Sequence, residues 1–142
     1  MQCALSGRAS SRMAEVTGEE GYTIHRLLGY PDTSEENKNG FKFHDENPLD
    51  VDIIILDEIS MVRADLLDAV DMTLRRYRRN DRPFGGVQLL MIGDAQQLSP
   101  VVKEDERHYM SQVYPSPYFF HSKALRQLSY VTIELQKVHR QK

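Results

Sequence analysis

The chain has little of what would classify it by composition. Cys3 is its only cysteine, which excludes an intramolecular disulfide framework and fits a reducing compartment. That cysteine and the five histidines (His25, His44, His108, His121 and His139) show no zinc-site spacing. No apolar run is long enough to span a bilayer, and nothing resembles signal-peptide architecture. Neither sign of charge dominates: 18 Lys and Arg against 21 Asp and Glu leave a net charge of −3, so any binding to nucleic acid is local. Internal repeats and low-complexity tracts are absent. So is any Gly-Lys pair, and with it any complete G-x-x-x-x-G-K-[ST] phosphate loop. What is present is 142 residues, 40% hydrophobic and 27% charged, enough for a single core.

The pattern along the chain alternates. Met1 to Leu5 reads as a short strand and Arg8 to Val16 as a helix ending at Gly18. Thr23 is placed to cap a short helix, "IHRLLG", that stops at Gly29 and Pro31. Asp32 to Asp50 is polar and reads as a surface loop, with room for a small hairpin around Phe41 to Phe43. After the strand "VDIIIL", the residues Leu66, Leu67, Val70, Leu74 and Tyr77 share one helical face between about Arg63 and Arg79. "NDRPFGG" is a turn, "VQLLMI" a second apolar strand, and a loop follows. An irregular Pro/Tyr segment, a short helix near Ser122 to Leu128 and a last strand, "YVTIEL", complete the pattern. Strands alternating with helices predict an α/β fold with a parallel sheet.

The chemistry starts at "VDIIILDEIS". Four apolar residues, Ile53 to Leu56, run into Asp57 and Glu58. Such a run suits a strand buried on both faces, and two carboxylates at its end are costly unless a cation meets them. Mg²⁺ on a nucleotide is such a cation, because it takes one or two carboxylates together with phosphate oxygens. Asp57 is suited to the metal shell. Glu58, on the other side of the pleat, is suited to polarising an attacking water. A second motif, "GDAQQLSPV" from Gly93, follows another apolar strand, so both motifs open on the carboxyl edge where ligands bind in doubly wound sheets. The amide of Gln97 donates and accepts at once, which suits a γ-phosphate sensor.

Together these residues carry a family resemblance. "ILDEISMV" and "FGGVQLLMIGDAQQLSPV" resemble motifs II and III of superfamily 1 DNA helicases of the RecD-like and Pif-type group. "ALSGRASSRMAEVTG…YTIHRLLG" resembles the segment after the first Walker motif, and "YFFHSKAL…IELQKVHRQ" the run into motif IV. The likeness implies a partial RecA-like domain with a mainly parallel sheet, lacking the Walker A strand. Residues 1–30 would form the motif Ia/Ib region, 31–50 a surface loop, and 51–142 the stretch from Walker B to motif IV. It also implies Mg²⁺ with ATP, single-stranded DNA as a partner, a P-loop segment upstream of Met1 and a second motor domain. A cytoplasmic or nucleoid-associated protein acting in DNA repair or recombination is expected.

The resemblance also implies roles. Asp57 would hold Mg²⁺ and Glu58 would be the catalytic base. Gly93, Asp94 and Gln97 would sense the nucleotide, with Gln97 coupling it to the DNA cleft, and Arg140 would meet the developing phosphate charge. Ser6, Gly7, Thr23 and His25 lie where family members touch single-stranded DNA. The chain departs from the family pattern at Leu5 (usually Pro), Ser6 (usually Thr), Ser10 (usually Ala) and Ser99 (usually Pro). Ser6 keeps a hydroxyl.

Two other readings stay open. One is a catalytically inactive remnant acting as a DNA-binding or interaction module. The other is a different Walker-type ATPase such as an AAA+ protein, against which Gly93-Asp94 with Gln97 argues. "RRYRR" (Arg75 to Arg79) reads as cations complementing a helix C-terminus rather than as a nucleic-acid patch. "YPSPYFF" reads as core, and Cys3 as buried and inert.

Overall fold

A computed structural model describes residues 1–28, 51–94 and 100–135. The hairpin expected around Phe41 to Phe43 lies outside the described residues. Among those described, four strands form one parallel sheet in the order β2-β1-β3-β4. They are β1 (Gln2–Ala4), β2 (Gly21–Thr23), β3 (Ile53–Leu56) and β4 (Gln88–Met91).

The helix α1 (Gly7–Thr17) joins β1 to β2. Ser6 caps it in extended conformation, its Oγ accepting the Ala9 N–H at 3.2 Å, and Gly18 closes it at φ +74° with its N–H on the Ala14 carbonyl. Gln2 is buried beneath the end of α1, where its Nε2 donates to Thr17 Oγ1 at 2.7 Å and to the Glu19 carbonyl at 2.8 Å. Strand β2 approaches the helix so closely that a Cβ at Gly21 would sit 2.2 Å from the Ser10 carbonyl oxygen. A four-residue helix, α2 (Ile24–Leu27), follows directly and buries Ile24 and Leu27.

The predicted amphipathic helix is α3 (Ala64–Arg78), and Leu67, Val70 and Leu74 on its inner face are fully buried with Ile54, Leu56 and Phe84. Burying each such side chain contributes about 1.5–3 kcal/mol. Asp71 is buried on α3, where its Oδ1 accepts the Phe84 N–H at 2.6 Å and Arg75 Nε at 2.8 Å. That carboxylate locks the Pro83–Gly86 turn onto the helix. Arg78 does the same from the end of α3, donating to the carbonyls of Gly85 and Val51. Two of the clustered arginines are therefore engaged in the fold. Cys3 lies in this core too, and burial pushes its thiol up to about 12.

Four expectations need correction. Strand β3 is buried on one face only: Ile54 and Leu56 are buried, whereas Ile53 and Ile55 are half-buried. Residues 130–135 form no strand, and Val131, Ile133 and Leu135 are 86%, 79% and 86% exposed. A strand is defined by its hydrogen-bonded neighbour, and among the described residues β4 pairs only with β3. Where a loop was expected, α4 (Glu104–Val113) forms, made by acids in its first turn and by the Lys103 N–H on Glu106 Oε2 rather than by an apolar stripe. The aromatic segment is only partly core: Tyr114 is buried, but Phe120 is exposed and stacks on Tyr118 at 5.4 Å. The last helix, α5 (Lys123–Arg126), is capped by Ser122, whose Oγ accepts the Leu125 N–H.

Candidate functional site

A parallel sheet ends all its strands on one edge, and each strand here ends in residues singled out by the sequence. Across the edge in sheet order stand Thr23 at the end of β2 with His25 just past it, Ser6 and Gly7 after β1, Asp57 and Glu58 after β3, and Gly93 and Asp94 after β4. Residues scattered over more than eighty positions of chain therefore form one row. Gln97 and Arg140 lie outside the described residues.

The centre of the row is built by backbone. The Asp57 N–H continues the ladder onto the Cys3 carbonyl at 2.9 Å, and Asp57 Oδ1 accepts the Glu58 N–H at 2.8 Å. Glu58 then leaves the pleat: it takes the left-handed conformation at φ 56°, ψ 37° and starts the 3₁₀ turn Ile59–Met61. For a residue with a side chain that conformation costs roughly 1–2 kcal/mol. The expectation that Glu58 points opposite Asp57 on the pleat is thus replaced by a turn. Its carboxylate reaches back across the sheet, and Ser6 Oγ donates to Glu58 Oε1 at 3.1 Å.

On the other side the turn is fastened to the β4 end. The Ile59 N–H donates to the Ile92 carbonyl and the Ile92 N–H to the Leu56 carbonyl, both at 2.9 Å. Gly93 lies directly against this fastening. A Cβ there would meet Ile59 Cγ2 at 2.8 Å and the Ser60 backbone nitrogen at 3.1 Å. The two acidic and glycine motifs are therefore in steric contact.

The fit to Mg²⁺ rests on Asp57. One carboxylate at a strand end, with its neighbour Glu58 turned toward Ser6, matches an ion that draws most of its ligands from phosphate and water. Among the described residues no set of three or more His, Cys, Asp or Glu side chains is arranged to hold a metal by itself.

Beside His25 a cavity of about 400 Å³ opens, lined also by Leu5, Met61, Arg63, Leu66 and Val101. Sequence reasoning marked Arg63 only as the start of a helix. It grips Asp65 with Nε at 3.0 Å and Nη2 at 2.8 Å, and Nη1 reaches Glu106 Oε2 at 2.7 Å. The Arg63 hydrogen bond holds the Glu106 carboxyl below its ordinary range. Asp68, also unanticipated, accepts from Tyr114, from Ser122 and from the N–H groups of Lys123 and Ala124. Both clusters link positions more than forty residues apart, so no local pattern announces them.

This edge, with an Asp-Glu pair, a glycine-led loop and a hydroxyl-capped helix on adjacent parallel strands, defines the RecA-like domain of a superfamily 1 helicase. The chain belongs to the PIF1-like helicase family, whose model matches residues 3–142. It is 45% identical over 89 residues to the ATP-dependent DNA helicase PIF1 of Saccharomyces cerevisiae, covering 63% of this chain and 10% of that protein. A solved structure of Pif1 helicase from Bacteroides in complex with ADP-AlF3 and ssDNA superimposes with a TM-score of 0.79 at 37% identity, over 99% of this chain and 33% of that one. A structure of two coordinating Pif1 helicases at forked dsDNA matches with a TM-score of 0.81 at 35% identity, over 100% of this chain and 34% of that one. The chain thus spans about a tenth of the curated yeast relative and a third of the solved chains.

Proposed function

We propose that this chain forms part of the first motor domain of an ATP-dependent DNA helicase, which translocates on single-stranded DNA and unwinds duplex. The observation that carries the reading is the Asp57-Glu58 pair at the carboxyl end of β3, with Glu58 hydrogen-bonded to the residue that caps α1. The Bacteroides relative binds ADP-AlF3 and ssDNA, which supports a nucleotide and a single strand as ligands here.

In this reading Asp57 holds the Mg²⁺ of bound nucleotide, and the ion supplies charge neutralisation at the phosphates. Glu58 takes the proton of the attacking water. Gly93 keeps the Glu58 turn against the motif III loop, and Asp94 and Gln97 read the nucleotide from that loop. Arg140 meets the charge that develops on the transferred phosphoryl group. Ser6, Gly7, Thr23 and His25 contact the single strand along the same edge. No net positive charge draws DNA to the chain, so these contacts are short-range and local.

Replacing Glu58 by Gln in the complete enzyme tests the assignment. Nucleotide binding stays near normal while turnover falls by about 10²–10⁴-fold, the usual cost of losing a general base. Turnover at the wild-type rate in that variant removes Glu58 from the mechanism. An enzyme that binds single-stranded DNA but hydrolyses nothing, before any substitution, points instead to an inactive binding module.

A further inference from the structure

We propose that Ser6 is a positioning residue that makes the readiness of Glu58 depend on whether a polynucleotide occupies the start of α1; this rests on the helicase reading above. The Ser6 hydroxyl has one proton and two lone pairs. One lone pair accepts the Ala9 N–H at 3.2 Å, and the proton goes to Glu58 Oε1 at 3.1 Å. In this state the hydroxyl cannot donate to anything else.

A single strand running along the carboxyl edge brings a phosphodiester oxygen to Ser6 and Gly7. That oxygen is an acceptor, and it competes with Glu58 for the same proton. The two cannot be satisfied together, since both are anionic and the hydroxyl donates once. Phosphate bound means carboxylate released.

Release matters because little else described fixes where Glu58 points. Its backbone is in the left-handed region rather than on the pleat, so strand geometry does not dictate its direction. Its carboxylate is turned toward the β1–α1 junction by the Ser6 hydrogen bond, away from the β4 side where the Gly93 loop lies. Freed of that bond, the carboxylate can turn to a water at the nucleotide. The proton it then accepts comes from that water, whose oxygen bonds to the γ-phosphorus as the bond to the β-phosphate oxygen breaks and ADP leaves. Ser6 takes no part in the bond changes and acts only through Glu58.

The test uses the complete enzyme with Ser6→Ala, Ser6→Gly and Ser6→Thr, measuring ATP turnover without DNA and with saturating oligothymidylate. Ser6→Gly matters because glycine is nearly as good an N-cap as serine, so it removes the tether with little harm to α1. Ala and Gly are expected to raise unstimulated turnover by about three- to tenfold, the weight of one hydrogen bond, and to shrink the stimulation ratio accordingly. Thr, which keeps the hydroxyl, restores both. A purely structural role for Ser6 lowers both rates in parallel, and that result overturns the proposal. Unstimulated turnover that does not rise in either Ala or Gly overturns it too, while leaving the helicase reading intact if wild type is stimulated by DNA. A wild-type enzyme indifferent to DNA overturns that reading and this inference with it.

Discussion

The phenol of Tyr114 donates to Asp68 Oδ2 at 2.5 Å, joining the end of α4 to the middle of α3. The same carboxylate takes Ser122 Oγ at 2.6 Å and the N–H groups of Lys123 and Ala124 at 3.1 and 3.0 Å. One side chain therefore holds three helices and supplies the first turn of α5 with its acceptor. Burial pushes the Asp68 carboxyl up, but the donors from Ala124, Ser122, Tyr114 and Lys123 outweigh it and hold the group below its ordinary range. Burial and then the Asp68 bond raise the Tyr114 phenol above its ordinary range.

These directions set a stability window. Asp68 has a lowered folded value, so its contribution is complete above about pH 4 and is lost as pH falls through that value. Tyr114 has a raised one, so its contribution is complete below about pH 10 and is lost on further rise. Asp68→Ala should cost about 1–3 kcal/mol, because Ser122 is fully buried and its hydroxyl loses its acceptor. Melting curves of the complete enzyme and the variant from pH 3 to 7 check this. Curves that stay parallel through acid remove Asp68 from the account.

Gly93→Ala should impair catalysis more than stability. The added methyl meets Ile59 and the Ser60 backbone, so the turn carrying Glu58 must shift. The backbone contacts ask for a shift of a few tenths of an ångström, so turnover should fall severalfold, short of the roughly 10²-fold that a full 1 Å misplacement costs. Turnover and melting temperature measured together decide the matter, and an active variant shows that the turn has room to yield.

Gly21→Ala tests the fold instead. Its Cβ meets backbone, at 2.2 Å from the Ser10 carbonyl, so no side chain can move aside. A loss of about 1–3 kcal/mol or more is expected, seen as a lowered midpoint in urea. A midpoint within error of wild type would mean that α1 slides freely on β2.

The isolated 142-residue chain should self-associate. Strand β4 has one paired neighbour among the described residues, and Val131, Ile133 and Leu135 stand exposed. A strand unpaired on one side among the described residues, beside exposed apolar β-formers, invites intermolecular pairing. Light scattering should report oligomers, and lysines at positions 131 and 133 should reduce them. A monomeric wild-type chain with a single cooperative melt contradicts this.

That isolated chain should also bind Mg·ATP no tighter than about millimolar, roughly −4 kcal/mol, because Asp57 has no phosphate-loop lysine beside it. Calorimetry showing micromolar affinity would reveal a nucleotide site elsewhere on the chain.

The sequence revealed those elements whose apolar spacing is regular. Leu67, Val70 and Leu74 disclose α3, and "IIIL" discloses β3. Strand β2 is only "GYT", and its glycine serves the close approach to Ser10, which no local pattern records. Helix α4 buries little beyond Met110, so its period is faint. "YVTIEL" has strand chemistry without a described strand neighbour. At the site, residue identities on the carboxyl edge were legible because the motifs are contiguous. The link from Ser6 to Glu58 was not, since it crosses 52 residues and depends on a left-handed turn.

The strand order has a consequence for how the chain is made. Strand β1 is first in sequence but lies between β2 and β3 in space, and the Ile55 N–H donates to the Met1 carbonyl. Synthesis at about 5–20 residues per second leaves β1 waiting roughly 3–10 s for that partner. Closing a loop of some fifty residues then costs about 3–4 kcal/mol on length alone. Until β3 emerges, β1, α1 and β2 exist with one flank of β1 unpaired. The two carboxylates arrive together with the strand that ends this wait, so the acidic pair appears as the second flank of β1 is covered, while the Ile59–Ile92 fastening of its turn still waits for β4.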